Sequence, residues 1–364
     1  MRADPASVVG RRILFLAHSH AFGPFRVGSH HYARVLAGNG AEVVHLSTPI
    51  SLAHRATGRV SRDAAADVPE GPQRDADGVT HLVPRTILPR PYGRFRVARE
   101  LRRHGILPDF DAVLVDQPLL WDNSVRGMAR RLVYRPTDLY PVGVKARRQR
   151  RIFEASDGVV ATSAVVLHGL GAADIPALVL ENGVDAARFA ASEGAAQARP
   201  DVCVYVGALD GRFDWERVMA WARSYPHVRF AIAGPAAAAP GDLPANVELL
   251  GPVAYDALPA VLHDARVGLL PLSDDPLNAG RSPMKLYEYL AAGLAVVARA
   301  TPVIASDVSA GLFTYTEPAQ ADAALGLALE HPSPNAAGVR RARTQSWEEK
   351  TRTLMAFLAE LPAR

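Results

Sequence analysis

Lys285 and Glu288 stand about one helical turn apart in the segment Arg281-Ser-Pro-Met-Lys-Leu-Tyr-Glu-Tyr-Leu-Ala-Ala-Gly293, a spacing that puts an ammonium and a carboxylate on one face. Ser282 is a favoured N-cap and Pro283 a favoured first helical residue, so a helix is expected to begin there. Gly293 supplies the stop, and LAVVAR then returns as a strand. A lysine in the first turn opposes the positive end of the helix dipole, and Ser282 lacks the acid that would complete a capping box. An anion docked on the free N–H groups of Met284 and Lys285 would relieve that conflict, and a diphosphate has the charge for it. Glu288 would then accept hydrogen bonds from the two hydroxyls of a ribose. The competing reading is a surface Lys–Glu pair, which contributes only about 0.2–0.5 kcal/mol.

A second candidate is Asp138, which closes Tyr134-Arg-Pro-Thr-Asp138 just after an apolar strand. Ligands of open α/β sheets bind beyond the carboxyl ends of the strands, so the position suits a proton acceptor facing a cleft. Its competing reading is an N-cap for the basic helical stretch that follows. Other signals carry less. Asp109 and Asp111 lie at the amino end of a strand and read as an entry turn, and Asp274-Asp275-Pro276 reads as a turn start. His18, His20, His30 and His31 match no zinc spacing, so no metal site is expected. GPFRVG is not GxGxxG, and neither a Walker A lysine nor a GxSxG elbow occurs.

The elements that must position these residues are short apolar runs alternating with helical patterns. RRILFLAH, AEVVHLS, DAVLVD, RRLVYR, DGVVATS and PALVLEN read as one set of strands. DVCVYVG, HVRFAIAG, NVELLG, ARVGLLPL and LAVVAR read as another. Continuous apolar strands separated by helices imply parallel sheets covered on both faces, here two doubly wound Rossmann-like domains. The expected division is 1–185 and 201–346, with the small, polar stretch 183–201 between them. The terminal helix over 347–364 is expected to pack back on the first domain, and His54 to Gly78 reads as an irregular insertion. The length of 364 residues, with 49% hydrophobic and 21% charged, fits two full cores and excludes a disordered chain. No apolar run approaches the roughly 18 residues of a bilayer span. MRADPASVVGRR shows no leader pattern, so a cytoplasmic location is expected, and the single Cys203 reads as a core thiol.

Net charge is +4, concentrated at Arg94 to Arg103 and Lys145 to Arg151. These runs read either as solvated helix faces or as a patch for anionic lipid head groups at the inner face of a membrane. They lack interleaved aromatics, so nucleic acid is not expected.

SPMKLYEYLAAGLAVVA resembles the donor-nucleotide motif of GT-B glycosyltransferases. VYVGALD, ENGVD, HVRFAIAG and VELLGPVAYDALPAVLHDARVGLLPL continue the pattern, and SHAFGPFRVGSHHYARVLAGNG and LVYRPTD add the first domain. Their order resembles the xanthan glucuronosyltransferase (GumK-type) family over most of the chain. That resemblance implies a transfer from a UDP-linked sugar to an acceptor hydroxyl, with Met284 and Lys285 on the UDP moiety and Asp138 as base. It also implies that Ala208, Leu209, Gly251, Pro252 and Val253 frame the nucleobase, beside Ser282 and Glu288. A lipid-linked, sugar or small-molecule acceptor would lie near His20, Arg26 and Gly28, and no metal would be obligatory. Two departures are visible. Retaining GT-B enzymes show E-x7-E, but Gly280 occupies the first position, and the GumK-type enzyme has an amide where Glu288 stands. A nucleotide-sugar epimerase and a non-catalytic sugar-nucleotide binder are the alternatives on the same scaffold.

Overall fold

A computed structural model describes residues 8–23, 25–53, 68–90, 92–93, 95–171, 174–190, 199–235 and 239–363. The chain forms two compact units, Met1–Glu181 with Lys350–Arg364, and Asn182–Glu349. Parts of the expected insertion (54–67) and linker (191–198), with Arg94 of the basic run, lie outside the described residues.

The first unit contains β1 (Arg12–Ala17), α1 (Gly28–Gly38), β2 (Glu42–Ser47), β3 (Ile50–Ser51), β4 (Gln73–Arg74), β5 (Thr80–Leu82), β6 (Arg85–Thr86), α2 (Val97–Arg103) and β7 (Phe110–Val115). It continues through β8 (Ala129–Tyr134), α3 (Gly143–Ala155), β9 (Gly158–Ala161), α4 (Ala164–Gly169) and β10 (Ala177–Val179). The sheet order is β10-β9-β8-β7-β1-β2-β5-β4, parallel throughout except that β4 runs against β5; β3 and β6 form a separate parallel pair. Because β1, β7 and β8 are adjacent and parallel, the residues that follow them emerge at one edge. Leu14, Leu16, Val113, Val115, Leu132 and Tyr134 turn one face of these strands into a core closed by Trp121 and Ile152.

The second unit contains α5 (Ala186–Phe189), β11 (Val202–Val206), α6 (Trp215–Ser224), β12 (Arg229–Ala233), β13 (Val247–Gly251), α7 (Leu258–His263), β14 (Val267–Leu270) and α8 (Met284–Ala291). It ends with β15 (Ala295–Arg299), β16 (Leu312–Tyr315), α9 (Pro318–Glu330), α10 (Ala336–Arg343) and the start of α11 (Trp347–Glu360). Its sheet is fully parallel, in the order β13-β12-β11-β14-β15-β16. Side chains alternate across a strand, and β11 shows why its run is continuously apolar. Val202, Val204 and Val206 pack with Leu286 and Leu290 of α8, while Cys203 and Tyr205 pack with Trp221 of α6 and Leu325 of α9. Cys203 is fully buried, and burial pushes its thiol pKa up.

The start of α8 differs from the sequence expectation. Pro283, extended at ψ 119, is the N-cap, and Met284 is the first helical residue. Ser282 does not cap, because its Oγ accepts the backbone N–H of Asn182 at 3.1 Å and its carbonyl accepts Asn182 Nδ2 at 2.7 Å. The far end follows the expectation. Gly293 has φ 79, with Leu294 N–H donating to Tyr289 O and Gly293 N–H to Leu290 O, a Schellman closure.

Candidate active site

At the carboxyl edge of the second sheet, successive strand ends are laced together. Gly207 N–H donates to Ala233 O, and Gly234 N–H donates to Gly251 O, both at 2.8 Å. A Cβ on Gly234 would lie 1.9 Å from Gly207 O, so only glycine permits this approach. The edge brings Gly207, Ala208 and the turn Gly251-Pro252-Val253 together. Ala208 and Pro252 are exposed, whereas Leu209 turns its side chain into the core at 4% exposure, so only its backbone can face a ligand.

Over this edge stands the start of α8. The N–H groups of Met284 and Lys285 have no acceptor among the described residues. The Lys285 amine lies 5.9 Å from the Tyr205 ring centroid. Burial, with help from Arg281 and Arg212, lowers its pKa to about 8, while Glu288 and Asp210 oppose the shift. Glu288 is buried, and burial raises its carboxyl to about 7 against the pull of Lys285. Among the described residues Glu288 makes no side-chain hydrogen bond and no ion pair, so the surface-pair reading fails. The result is a cationic field of Lys285, Arg281 and Arg212 beside a buried carboxyl that lacks a donor. Arg212 and Arg281 were not singled out from the sequence. Arg212 is held by Asp210 and by an anchored loop, since Asn278 Nδ2 donates to Arg212 O at 3.1 Å and Ser273 Oγ to Gly211 O at 2.7 Å. A basic residue shortly after the strand glycine was the available signal.

At the edge of the first sheet, Arg135 donates through both arms to Asp116, with Nε to Oδ1 at 2.8 Å, and lies 5.0 Å over the Tyr32 ring. Both partners are buried, so the pair fixes the ends of β7 and β8 against each other. Asp138 is half-buried two residues beyond Pro136 and accepts a hydrogen bond from Thr137 Oγ1 at 3.2 Å. It is not an N-cap, because α3 begins at Gly143 with Val142 before it. His18, just after β1, sits beside this segment.

The residues expected to meet an acceptor are local neighbours. His20 is half-buried, and burial with Arg85 and Arg26 lowers its pKa. Arg26 donates to the carbonyls of Ala21 and Gly23, so it braces its own loop. Gly28 opens α1 and is buried. Phe22 lies between His20 and His81, at 6.2 and 5.9 Å between centroids. Behind them the His30 and His45 rings lie tilted at 4.6 Å between centroids, buried and held neutral, with His30 lowered to about 3 chiefly by burial. Asp109 and Asp111 accept from Arg12 at the opposite edge, as an entry turn requires.

The basic runs divide. Within the second, Arg148 donates to the carbonyls of Leu119 and Trp121, and Lys145 sits 4.4 Å from the Tyr140 ring centroid. Arg96, Arg99 and Arg103 of the first are exposed and border a cavity of about 610 Å³ whose apolar wall is Ile87, Leu88 and Phe95.

The family described as Glycosyl transferases group 1 matches residues 200–330, the stretch that carries β11 and the start of α8. The "Putative teichuronic acid biosynthesis glycosyltransferase TuaH" of Bacillus subtilis (strain 168) is 27% identical over 282 residues, 69% of this chain and 68% of that protein. Among solved structures, Anabaena Alr3699/HepE in complex with UDP and glucose superimposes at TM-score 0.65 and 14% identity, over 96% of this chain and all of that one. The chain is a glycosyltransferase of GT-B fold. An E. coli structure titled for trehalose-6-phosphate, bound with UDP-2-fluoro glucose, aligns with this glycosyltransferase at TM-score 0.65 and 13% identity, covering 97% of it and 100% of the other chain.

Proposed function

We propose that this glycosyltransferase moves a sugar from a UDP-linked donor to an acceptor hydroxyl with inversion at the anomeric carbon. The observation that carries the donor half is the uncapped start of α8, with unpaired Met284 and Lys285 amides, the Lys285 amine and a buried, donorless Glu288 carboxyl. A diphosphate answers the cations and amides, and a ribose diol answers the carboxyl. UDP and a UDP-sugar are bound in two fold neighbours, which supports the choice of nucleotide.

Asp138 is the base in this reading. It takes the proton of the acceptor hydroxyl as that oxygen bonds the anomeric carbon. The bond from carbon to the diphosphate oxygen breaks with its electron pair, and Lys285 with the helix amides stabilises the leaving charge. No metal is invoked. Gly280 leaves no first acid for E-x7-E, which favours inversion over retention. The finer resemblance to the xanthan glucuronosyltransferase family supplies the Asp138 role.

The acceptor would meet the first unit near His20, Phe22 and Gly28, and Arg26 shapes that loop rather than binding. TuaH is named for teichuronic acid biosynthesis, which suits a polysaccharide or glycoconjugate acceptor. The exposed arginines of α2 beside an apolar cavity suit peripheral attachment at an anionic membrane. None of the relatives named above is an epimerase. The discriminating experiment incubates the enzyme with UDP-sugars, with and without acceptor. UDP release that depends on acceptor supports transfer; a changed sugar without acceptor overturns it.

A further inference from the structure

Four strand ends converge around His18, and their side-chain hydrogen bonds share one consistent direction. Gln117, just after β7, accepts the Leu119 N–H on Oε1 at 3.1 Å, so its carbonyl is pinned. Its amide nitrogen therefore faces His18 and donates to Nδ1 at 3.0 Å. Burial lowers the His18 pKa against the opposing Asp116 carboxylate and carbonyl and the Asp138 carboxylate, so the ring is neutral at pH 7, and accepting from Gln117 on Nδ1 puts its one proton on Nε2. That proton points to Thr137 Oγ1 at 3.4 Å. The hydroxyl then has its own proton free for Asp138, and it lies 3.2 Å from Oδ2. The Thr137 backbone is braced from the end of β9, where Thr162 Oγ1 donates to Thr137 O at 3.4 Å.

We infer that His18 and Thr137 form a donor chain that orients Asp138, making both of them positioning residues for the transfer. The inference rests on the reading of Asp138 as base. The chain runs Gln117 to His18 to Thr137 to Asp138 and ends on the only member with no proton to give. One carboxylate oxygen is thereby engaged, leaving the other for the acceptor hydroxyl. The charged and titratable groups around the chain are Asp116 at the end of β7, Tyr134 and Tyr140 around the YRPTD segment, and Lys145 of α3.

The test uses pairs of variants in the full chain. Thr137→Val and His18→Leu remove a link, while Thr137→Ser keeps the hydroxyl and His18→Gln keeps an N–H at the reach of Nε2. The broken-link variants should lower kcat by roughly 10- to 100-fold, the usual cost of losing an orienting partner, with UDP affinity and Tm close to wild type. Thr137→Ser and His18→Gln should recover most of the rate. Wild-type kcat in Thr137→Val would overturn the chain, as would a loss in Thr137→Ser equal to that in Thr137→Val. Asp138→Asn separates the two readings. Full turnover there removes the base itself, whereas loss there beside intact Thr137→Val removes only the chain.

Discussion

Lys285 rests directly on Gly207: a Cβ at position 207 would lie 2.2 Å from Lys285 Cε and 2.7 Å from Nζ. The glycine at the end of β11 is thus a seat for the lysine as much as a turn residue. Gly207→Ala should displace the amine and crowd the Tyr205 hydroxyl, with added strain at a backbone φ of +157. Calorimetry should find UDP affinity reduced at least tenfold, with circular dichroism and the Tm transition still cooperative.

The two halves of the proposed chemistry are separable. Lys285→Ala should weaken UDP by about 1.5–3 kcal/mol, the scale of a charge-assisted hydrogen bond, and slow transfer as well. Asp138→Asn should leave UDP binding nearly unchanged while cutting turnover by roughly 10² to 10⁴. Titration with UDP beside a product assay reads both. Near-wild-type turnover in Asp138→Asn would reopen a retaining mechanism.

UDP affinity should be greatest between about pH 7 and 8. Above about 8 Lys285 loses its proton, and the diphosphate loses a cation. Below about 7 Glu288 takes up a proton and accepts less well from the ribose. Calorimetry from pH 6 to 9.5 checks the profile, and Lys285→Arg should flatten its alkaline side because a guanidinium stays charged.

Acid should unsettle the first unit. Burial depresses His20, His30 and His45 below their ordinary 6.5, so the unfolded chain binds more protons than the folded one as pH falls under that value. Their contribution is complete above pH 6.5 and is lost progressively towards the lowered values. Thermal melts between pH 7.5 and 4.5 should show a falling Tm, with a shallower slope in His45→Gln, whose amide can still reach Ser29 Oγ.

Arg96, Arg99 and Arg103 should govern attachment to anionic vesicles. Each basic residue near such a surface is worth about 1 kcal/mol, so changing all three to Ala should weaken sedimentation by roughly a hundredfold. High salt should abolish it in the wild type, since the attraction is screened within a Debye length. Equal sedimentation with neutral vesicles would remove the electrostatic account.

The long parallel strands were legible in the sequence because their runs are apolar on both faces. LFTY at Leu312–Tyr315 and THL at Thr80–Leu82 were not, being too short to show a period. Lys285 and Glu288 were legible as a broken local rule. Arg212 and Arg281 were not, because their relevance depends on which loops meet. Ser282 misled for a related reason: its type says cap, but Asn182, a hundred residues earlier, claims its hydroxyl. Arg135 shows the converse, since its buried partner Asp116 comes from a neighbouring strand that no short-range pattern connects to it.

Asn182 grips Ser282 by both its backbone and its side chain, and under the proposed donor reading this would keep a tethered rival away from the head of α8. A serine released from that grip could turn its oxygen towards the amides at the head of α8, where it would compete with the donor at the high local concentration of a covalently attached group. Under that reading, selectivity for an exogenous phosphate would begin with a restraint placed on one of the protein's own hydroxyls.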